Sequence, residues 1–294
     1  MRVETISEQL FFVSCRLEAF GSGTGWVGTG FAYEIDTTLG RAKYLVTNRH
    51  VLEGADAVTI TMIAADEKGG PALGRTTSVT LPIESPPQWT AHPDPRVDLA
   101  ITPLAGVIEA MAAQGSQPFY RAVSPQLCQG VESNTELDAI EQVTFIGYPN
   151  GLFDTANFLP IARRGSTATP VSVDYQGVPA FLIDASVFPG SSGSPVFLAD
   201  SSPYRDEGGQ WVIGGTRVSC LGVLAAVHSR KVNGQVEVVP TRLVASFDEG
   251  IDLGVVYKAA AFDHIASLRL AADGAVRLPL DTNSSETAVP AEEA

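Results

Sequence analysis

Three residues far apart in the chain have the types that nucleophilic acyl transfer requires. His50 ends an apolar run, Asp98 begins another, and Ser192 lies in a glycine-rich segment. A serine hydroxyl is a weak nucleophile at neutral pH, so it needs a base within hydrogen-bond reach, and histidine titrates in the right range. A carboxylate would then hold the imidazole in the required tautomer. The order His, Asp, Ser is one of those known for such triads.

The glycine-rich segment Pro189-Gly190-Ser191-Ser192-Gly193-Ser194 offers three serines as the nucleophile. Acyl transfer creates an oxyanion, and backbone N–H groups can converge on it only where no Cβ interferes. If Ser192 is the nucleophile, Gly190 and Ser192 would supply those two N–H groups. Ser194 would then lie two residues further on, in the following strand.

Composition and charge exclude several other classes of function. The 19 Lys and Arg residues against 33 Asp and Glu give a formal net charge of −14, which disfavours nucleic acid as a partner. No Cys/His cluster has metal-ligand spacing, and Gly28-x-Gly30 lacks the strand–helix context of a dinucleotide site. We therefore predict no metal and no cofactor. The 3 cysteines are too few and too scattered for a disulfide framework.

The start of the chain bears on its location. No cationic stretch leads into an apolar run with a small-residue cleavage site, and no apolar stretch is long enough to span a bilayer. The sequence therefore predicts a cytoplasmic protein that does not associate with a membrane.

Short strands must carry the three residues. Val and Ile alternate with polar residues, and Gly, Pro, Asn and Asp interrupt the runs, in two blocks separated by a connector. This pattern predicts an all-β protein with two small antiparallel barrels. The predicted units are a first β-barrel at 1–104, a connector with a short helix at 105–140, a second β-barrel at 141–258, a C-terminal helix at 259–270 and a disordered acidic tail at 271–294.

Several local motifs resemble the trypsin/chymotrypsin-like serine peptidases, in particular the bacterial branch that holds the glutamyl endopeptidases and the high-temperature-requirement proteases. The resemblance runs from about residue 10 to residue 258. The similar segments are Thr47-Asn48-Arg49-His50-Val51, Asp98-Leu99-Ala100, Gly190-Ser191-Ser192-Gly193-Ser194-Pro195-Val196-Phe197, Gly28-Thr29-Gly30-Phe31 and Gly147-Tyr148-Pro149.

This resemblance implies a fold, an activity and a class of partner. The fold would be a chymotrypsin-like double antiparallel β-barrel with a short C-terminal helix, and the active site would lie between the barrels. The activity would be that of a serine endopeptidase acting on protein or peptide substrates. We expect no accessory peptide-binding domain after residue 258, and an activating protein partner stays open.

The family's motif selects Ser192 as the nucleophile, because the serine precedes the second glycine. Family spacing also implies a specificity pocket with Ser186 at its base and Ala225, Ala226 and Val227 as its wall. Ser186 carries no charge, so the resemblance implies a small or medium uncharged residue before the scissile bond.

The remaining histidines are alternatives that the residues leave open. His92 lies in a turn where we expect it to be exposed, and His264 falls on the terminal helix. His228 follows the strand expected beside the substrate, where it is either structural or a ligand for an acidic side chain. Leu224 stands where the glutamyl endopeptidases carry a histidine, which argues against glutamate specificity.

Two other functions remain as alternatives. The first is a catalytically silent protease fold that binds peptides or partner proteins, although an intact triad argues against it. The second is an esterase or another acyl hydrolase. The Gly-x-Ser-x-Gly elbow at a strand–helix turn is missing, because Ser194-Pro195-Val196 is predicted to continue as a strand.

Overall fold

Strands joined by tight turns account for most of the chain, as the alternating apolar pattern predicts. The computed structural model describes residues 3–83, 89–128, 137–200, 204–205, 211–212, 217–238 and 241–280, with the backbone alone at 200, 204–205, 211–212, 226–238 and 241–251. The predicted all-β fold of two successive β units with a C-terminal helix is confirmed.

The first unit, here called the first sheet, has eight strands in the spatial order β5-β4-β1-β2-β3-β7-β6, with β8 added in parallel to β2. Its described pairings leave it open, and β8 lies beyond the predicted boundary at residue 104. Alternate residues of β1 are buried, as expected for a strand with one face on the core. The strands are β1 (Ser14–Gly21), β2 (Thr24–Thr37), β3 (Gly40–Thr47), β4 (Ala57–Ala65), β5 (Pro71–Pro82), β6 (Thr90–Ala91), β7 (Ala100–Pro103) and β8 (Ala122–Val123).

The second unit is a closed barrel in the order β10-β11-β16-β15-β12-β9, and β13 and β14 pair separately. Large apolar side chains such as Phe145, Phe181 and Val196 fill its core. The strands are β9 (Gln142–Gly147), β10 (Ile161–Thr167), β11 (Ala180–Asp184), β12 (Pro195–Asp200), β13 (Tyr204–Arg205), β14 (Trp211–Val212), β15 (Arg217–Val238) and β16 (Thr241–Lys258).

Helices are short except at the end of the chain. Thr5 and Glu8 form a capping box at the start of α1: the Thr5 hydroxyl accepts the Glu8 backbone N–H, and the Glu8 carboxylate accepts the Thr5 backbone N–H. In the described part of the connector, α3 follows directly after β7. The helices are α1 (Ile6–Leu10), α2 (Arg49–Leu52), α3 (Ala105–Ala113) and α4 (Ala259–Ala272), with 3₁₀ turns at Gln126–Cys128, Pro149–Gly151 and Tyr175–Gly177.

The C-terminal helix α4 leaves the barrel and packs on the first sheet. Phe262 makes edge-to-face contacts with Phe31 and Tyr33 of β2, with ring centroids 5.5 and 4.9 Å apart. Such contacts add to the stabilisation from burying the rings. The spacing of Phe262, Ile265 and Leu268 predicts one apolar stripe, but Leu268 is exposed. The buried face runs instead through Phe262, Ala266 and Leu270, which are four residues apart.

The segment after α4 differs from the prediction of a disordered tail beginning at residue 271. Thr38 donates its backbone N–H to Val276, and Leu278 donates to Asp36, so residues 276–278 continue along the β2–β3 hairpin. Arg277 also forms an ion pair with Asp263. Backbone pairing needs no apolar pattern, which is why composition did not reveal it. Residues 281–294 lie outside the described part of the chain.

All three cysteines are buried and lie outside any disulfide. Burial raises the pKa of Cys15 to about 12, so its thiol stays protonated at neutral pH. None of the helices among the described residues is long and apolar enough to cross a membrane.

Candidate active site

His50 is carried by a single helical turn directly after strand β3. Asn48 is the N-cap of α2, and Val51 and Leu52 on the far side of the turn are buried. The backbone carbonyl of Val51 also accepts a hydrogen bond from the Trp26 indole N–H, at 2.8 Å. The anchored apolar side of the turn leaves the His50 side chain 44% exposed on the other side.

Asp98 binds this turn through its carboxylate and its backbone. One carboxylate oxygen, Oδ2, contacts Nδ1 of His50, and Oδ1 accepts the His50 backbone N–H at 2.9 Å. The Asp98 carbonyl accepts the Asn48 side-chain amide at 2.8 Å. Both oxygens of the Asp98 carboxylate therefore bind His50. The contact with Nδ1 turns that side of the imidazole toward Asp98 and leaves Nε2 on the opposite side of the ring.

A tyrosine from the barrel holds the loop before Asp98. Tyr257 of β16 donates its hydroxyl to the Arg96 carbonyl at 2.8 Å. Burial, the largest influence, raises the pKa of this phenol, so it remains a hydrogen-bond donor at neutral pH. In the same loop Asp94 and Arg96 form an ion pair, with 2.6 Å between Oδ2 and Nη2. The position of Asp98 thus depends on both units of the fold.

The serines of residues 189–194, here called the glycine–serine loop, differ sharply in exposure. Ser191 and Ser194 are buried at 1% and 0% exposure, and neither hydroxyl has a partner. Ser192 is half-buried, and its hydroxyl donates to the Ala225 carbonyl at 3.0 Å. Among the three serines, only Ser192 is partly exposed to solvent.

Two glycines in this loop adopt conformations that side chains rarely tolerate. Gly190 has φ +85° and Gly193 has φ +88°. A Cβ on Gly190 would lie 2.5 Å from the Tyr148 carbonyl oxygen, and one on Gly193 would lie 1.8 Å from that of Thr29. The loop therefore packs against neighbouring backbone more closely than any other residue type allows.

Backbone hydrogen bonds fix the loop between the two units. Thr29 of β2 donates its N–H to the Ser192 carbonyl at 2.8 Å, which ties the loop to the first sheet. On the barrel side, Gly193 donates to Leu224 at 2.8 Å and Leu224 donates to Ser194 at 2.9 Å. Gly193 also brings the loop next to Thr47, three residues before His50, since a Cβ on Gly193 would lie 2.7 Å from the Thr47 hydroxyl.

The predicted oxyanion donors are unengaged in this arrangement. Neither Gly190 nor Ser192 donates its N–H to any other residue of the described chain. The Pro189 carbonyl accepts the Asn150 N–H at 2.5 Å. A trans peptide points its C=O and N–H in opposite directions, so the Gly190 N–H points away from Asn150.

The structure places the predicted pocket residues on two segments. Ser186 is half-buried between β11 and the glycine–serine loop, and Ala225 is buried beside the Ser192 hydroxyl. The side chains of Ala226, Val227 and His228 lie outside the described residues. Their backbone continues β15, where Val227 pairs with Gly254 of β16.

Three apolar side chains surround Gly254, the residue of β16 that pairs with Val227. A Cβ on Gly254 would lie 2.9 Å from Val187, 3.0 Å from Leu224 and 3.1 Å from Ile183. Sequence reasoning did not single out Val187 or Gly254. Val187 directly follows Ser186 in the sequence, which could have drawn attention to it. No neighbouring residue in the sequence marks Gly254.

Sequence reasoning also missed three residues that hold the site. Asn48 and Thr29 lie inside recognised motifs, and their buried polar side chains next to a candidate catalytic residue were a usable signal. No feature of the sequence pointed to Tyr257, because it contacts Arg96, which is 161 positions away in the chain.

The other histidines take no part in the site where they are described. His92 is half-buried rather than exposed as expected, and its ring lies 5.5 Å from that of His264, centroid to centroid. Burial chiefly, and the neighbouring His264, lower the pKa of His92. No group of three or more His, Cys, Asp or Glu side chains in the described ranges is placed to bind a metal ion.

Three solved structures that are similar to the chain are distant from it in sequence. A serine endoprotease from Yersinia pestis is 15% identical, with a TM-score of 0.44, over 93% of this chain and 69% of that one. An inactivated protease paralogue of the scabies mite is 11% identical, with a TM-score of 0.49, over 91% and 97%. The protease Anisep of Arthrobacter nicotinovorans is 12% identical, with a TM-score of 0.43, over 86% and 95%.

Comparison at the level of families is more specific. A search of the curated proteins gave no match. The sequence model of the trypsin-like peptidase domain matches residues 28–202, which is more than half of the 294 residues. The matched span contains His50, Asp98 and Ser192. The chain belongs to the trypsin-like peptidase family.

Proposed function

We propose that the protein is a serine endopeptidase in which His50, Asp98 and Ser192 form the catalytic triad. The observation that carries this proposal is the double engagement of the Asp98 carboxylate by His50, across the junction from the accessible serine of the glycine–serine loop. The trypsin-like peptidase family supports the class of reaction.

The first step is the activation of Ser192. With Nδ1 donating its proton to Asp98, Nε2 of His50 carries the free electron pair and acts as the general base. In the resting arrangement the Ser192 hydroxyl donates to Ala225, so it must rotate about χ1 to reach the imidazole. Staggered rotamers of serine make this a single-bond rotation without movement of the backbone.

The second step is stabilisation of the negative charge. Attack of Ser192 Oγ on the scissile carbonyl converts its oxygen to an oxyanion, while the serine proton moves to Nε2 of His50. The unengaged N–H groups of Gly190 and Ser192 are the donors we assign to that oxyanion. Loss of one such donor in comparable enzymes costs about 3–4 kcal/mol of transition-state stabilisation.

The remaining steps return the enzyme to its starting state. The imidazolium of His50 gives its proton to the leaving amine as the C–N bond breaks, which leaves an acyl-enzyme ester on Ser192. Water then attacks this ester with His50 again as the base, and the acid product leaves as Ser192 regains its proton. Asp98 stabilises the imidazolium in both halves of the reaction.

The pocket we propose accepts a small or medium uncharged residue before the scissile bond. Ser186 and Ala225, which lie on the two segments that we assign to this pocket, bring no charge to it. Burying a charged substrate side chain among these groups without a partner would be strongly unfavourable. Cleavage-site profiling on a peptide library, with Ser192→Ala as the blank, tests this preference.

Labelling by a fluorophosphonate tests the proposed nucleophile directly. Wild type should add one phosphonyl group, located at Ser192 by peptide mass mapping, and hydrolyse peptides. Ser192→Ala should lose both properties, with hydrolysis falling about 10⁶-fold.

The matched controls are the same substitution at the two buried serines. Ser191→Ala and Ser194→Ala should still be labelled, because each removes a buried hydroxyl that has no partner. Absence of labelling in the native wild-type protein would refute the proposal and favour the silent, peptide-binding alternative.

A further inference from the structure

Thr29 makes an unusual set of contacts for a residue in the middle of a strand. It is fully buried at 0% exposure, and its side-chain hydroxyl donates to the Gly190 carbonyl at 2.8 Å. The same hydroxyl accepts the Tyr148 backbone N–H at 3.2 Å. Its backbone N–H binds Ser192, and its backbone carbonyl accepts the Thr47 hydroxyl at 2.7 Å. Both polar backbone groups and the side chain thus meet at the glycine–serine loop and the strand leading to His50.

The direction of the hydroxyl hydrogen bond is determined by these partners. A threonine hydroxyl has one proton and two lone pairs. The Tyr148 N–H can only donate, so it takes a lone pair, and the Gly190 carbonyl can only accept, so it takes the proton. The hydroxyl has no freedom to point elsewhere while both contacts persist.

The Gly190 carbonyl belongs to the middle one of three consecutive peptides. The Pro189 carbonyl accepts from Asn150, the Gly190 carbonyl from the Thr29 side chain, and the Ser191 carbonyl accepts the Ser194 N–H at 3.0 Å. The N–H groups of Gly190 and Ser192 belong to the first and third of these peptides. Because each peptide is a rigid plane, rotating the middle one changes the angle between those two N–H groups.

We propose that Thr29 is a positioning residue for the oxyanion site, whose side-chain hydroxyl locks the Gly190–Ser191 peptide and so keeps the Gly190 and Ser192 N–H groups convergent. This inference rests on the proposed function, which assigns those two N–H groups to the oxyanion. The Ser191 N–H at the other end of this peptide donates to the Phe188 carbonyl at 3.0 Å, so the Thr29 hydroxyl is the second of two contacts on a peptide that glycine leaves freer to rotate.

Thr37, at the other end of the same strand, provides a matched control. Its hydroxyl donates to the Gly40 carbonyl at 2.6 Å and accepts the Leu39 N–H at 3.2 Å, and the residue is 6% exposed. It therefore has the same bonding pattern as Thr29, at the β2–β3 turn and away from Ser192. Valine at either position removes the hydroxyl and keeps the branched shape.

The experiment compares fluorophosphonate labelling of wild type, Thr29→Val, Thr29→Ser and Thr37→Val over a range of probe concentrations. The phosphonyl oxygen of the probe develops negative charge as Ser192 attacks, so the maximal labelling rate reports on the oxyanion donors. Thr29→Val should lower that maximal rate by about tenfold to a hundredfold, with half-saturation unchanged. Thr29→Ser should restore the rate, and Thr37→Val should label at the wild-type rate.

Amide hydrogen exchange of residues 189–194 by mass spectrometry supplies a readout that does not depend on catalysis. Thr29→Val should speed exchange in this segment, while Thr37→Val should leave it at the wild-type rate. Equal labelling by wild type and Thr29→Val would overturn the inference while the proposed function stands. If wild type itself is not labelled, the proposed function fails, and unchanged exchange in Thr29→Val would then overturn the positioning role as well.

Discussion

His50 and Asp98 hold each other through the Asp98 carboxylate, just after strand β3 and just before strand β7 of the first sheet, whereas the glycine–serine loop of the barrel is held through its backbone. The His50 side chain is 44% exposed, and its partner binds it with both carboxylate oxygens. In the loop, by contrast, successive carbonyls are bonded in place and two glycines leave no space for a Cβ.

This difference teaches that the two halves of the site depend on different properties of the sequence. On the first sheet the functional groups of the His50 and Asp98 side chains matter, and the strands that carry them need no special backbone conformation. In the loop the absence of side chains matters, since backbone groups supply the chemistry. We therefore expect isosteric changes of functional groups to act mainly on the first half, and added volume to act mainly on the second.

Among the variants that compare the two halves, Asp98→Asn on the first half should have the largest effect. The amide NH₂ would face Nδ1 of His50 and force the proton onto Nε2, so the base would be lost with little change in shape. We expect kcat/KM to fall about 10⁴-fold at an unchanged melting temperature.

Asp94→Asn is the control for Asp98→Asn, because Asp94 lies in the same loop and its carboxylate bonds Arg96 instead of His50. Steady-state kinetics and thermal unfolding of both variants provide the measurement. A fall of less than tenfold in Asp98→Asn would show that the carboxylate does not set the tautomer.

Gly193→Ala is expected to have the next largest effect, on stability. The new Cβ would meet the Thr29 carbonyl at 1.8 Å, and the residue would have to hold φ +88°. We expect a loss of about 3 kcal/mol or more in the free energy of unfolding, together with loss of hydrolysis.

Gly23→Ala separates the two causes, since Gly23 has φ +77° but nothing within 4 Å of its Cβ position. It should lose only the part due to backbone conformation, about 1 kcal/mol, and keep its activity. Urea unfolding of both variants measures the difference. Equal losses would mean that steric exclusion does not hold the loop.

Tyr257→Phe tests the link between the two halves. It removes the hydrogen bond to Arg96 from the loop that precedes Asp98. The free energy of unfolding should fall by about 1 kcal/mol, and kcat should fall severalfold as Asp98 becomes less fixed. Tyr33→Phe, which removes the bond to Asp263 beneath α4, should lose stability without a change in kcat. If both variants keep wild-type kcat, Tyr257 has only a structural role.

The smallest expected effect is on the pH dependence of stability, and it comes from His92, which belongs to neither half of the site. Burial keeps the pKa of His92 below its ordinary value of 6.5, so the folded protein binds fewer protons there than the unfolded chain. As pH falls below about 6.5, the unfolded chain takes up the proton first, and stability decreases toward the lowered pKa. His92→Gln should therefore reduce the drop in melting temperature between about pH 7 and about pH 5. An identical drop in the two proteins would contradict this.

The sequence predicted the parts of the fold that depend on neighbouring residues. His50, Asp98 and Ser192 each lie in a short motif with its own strand or loop, and the strand blocks follow from alternating apolar residues. The apolar face of α4 was visible in the sequence, but its docking against Phe31 and Tyr33 was not, because nothing local specifies the partner of a helix face.

The contacts that hold the site were less accessible to sequence reasoning. The bond from Ser192 to the Ala225 carbonyl depends on a rotamer, and the role of Thr29 depends on where the Gly190 carbonyl points. The pairing of Val276 with Thr38 joins backbones and leaves no mark on composition. Such features follow from three-dimensional packing and require coordinates.

The position of α4 has a consequence for how the chain folds during synthesis. Phe31 and Tyr33 of β2 are made early, and the helix that covers them begins at Ala259. Domains fold as units as they emerge from the ribosome, and exposed apolar surface at that stage promotes aggregation. Phe31 and Tyr33 of the first sheet therefore stay exposed until the barrel and then α4 have been translated. The glycine–serine loop and helix α4 are thus both translated after the strands that carry His50 and Asp98, so the first sheet is covered and the site assembled only after the barrel has been translated.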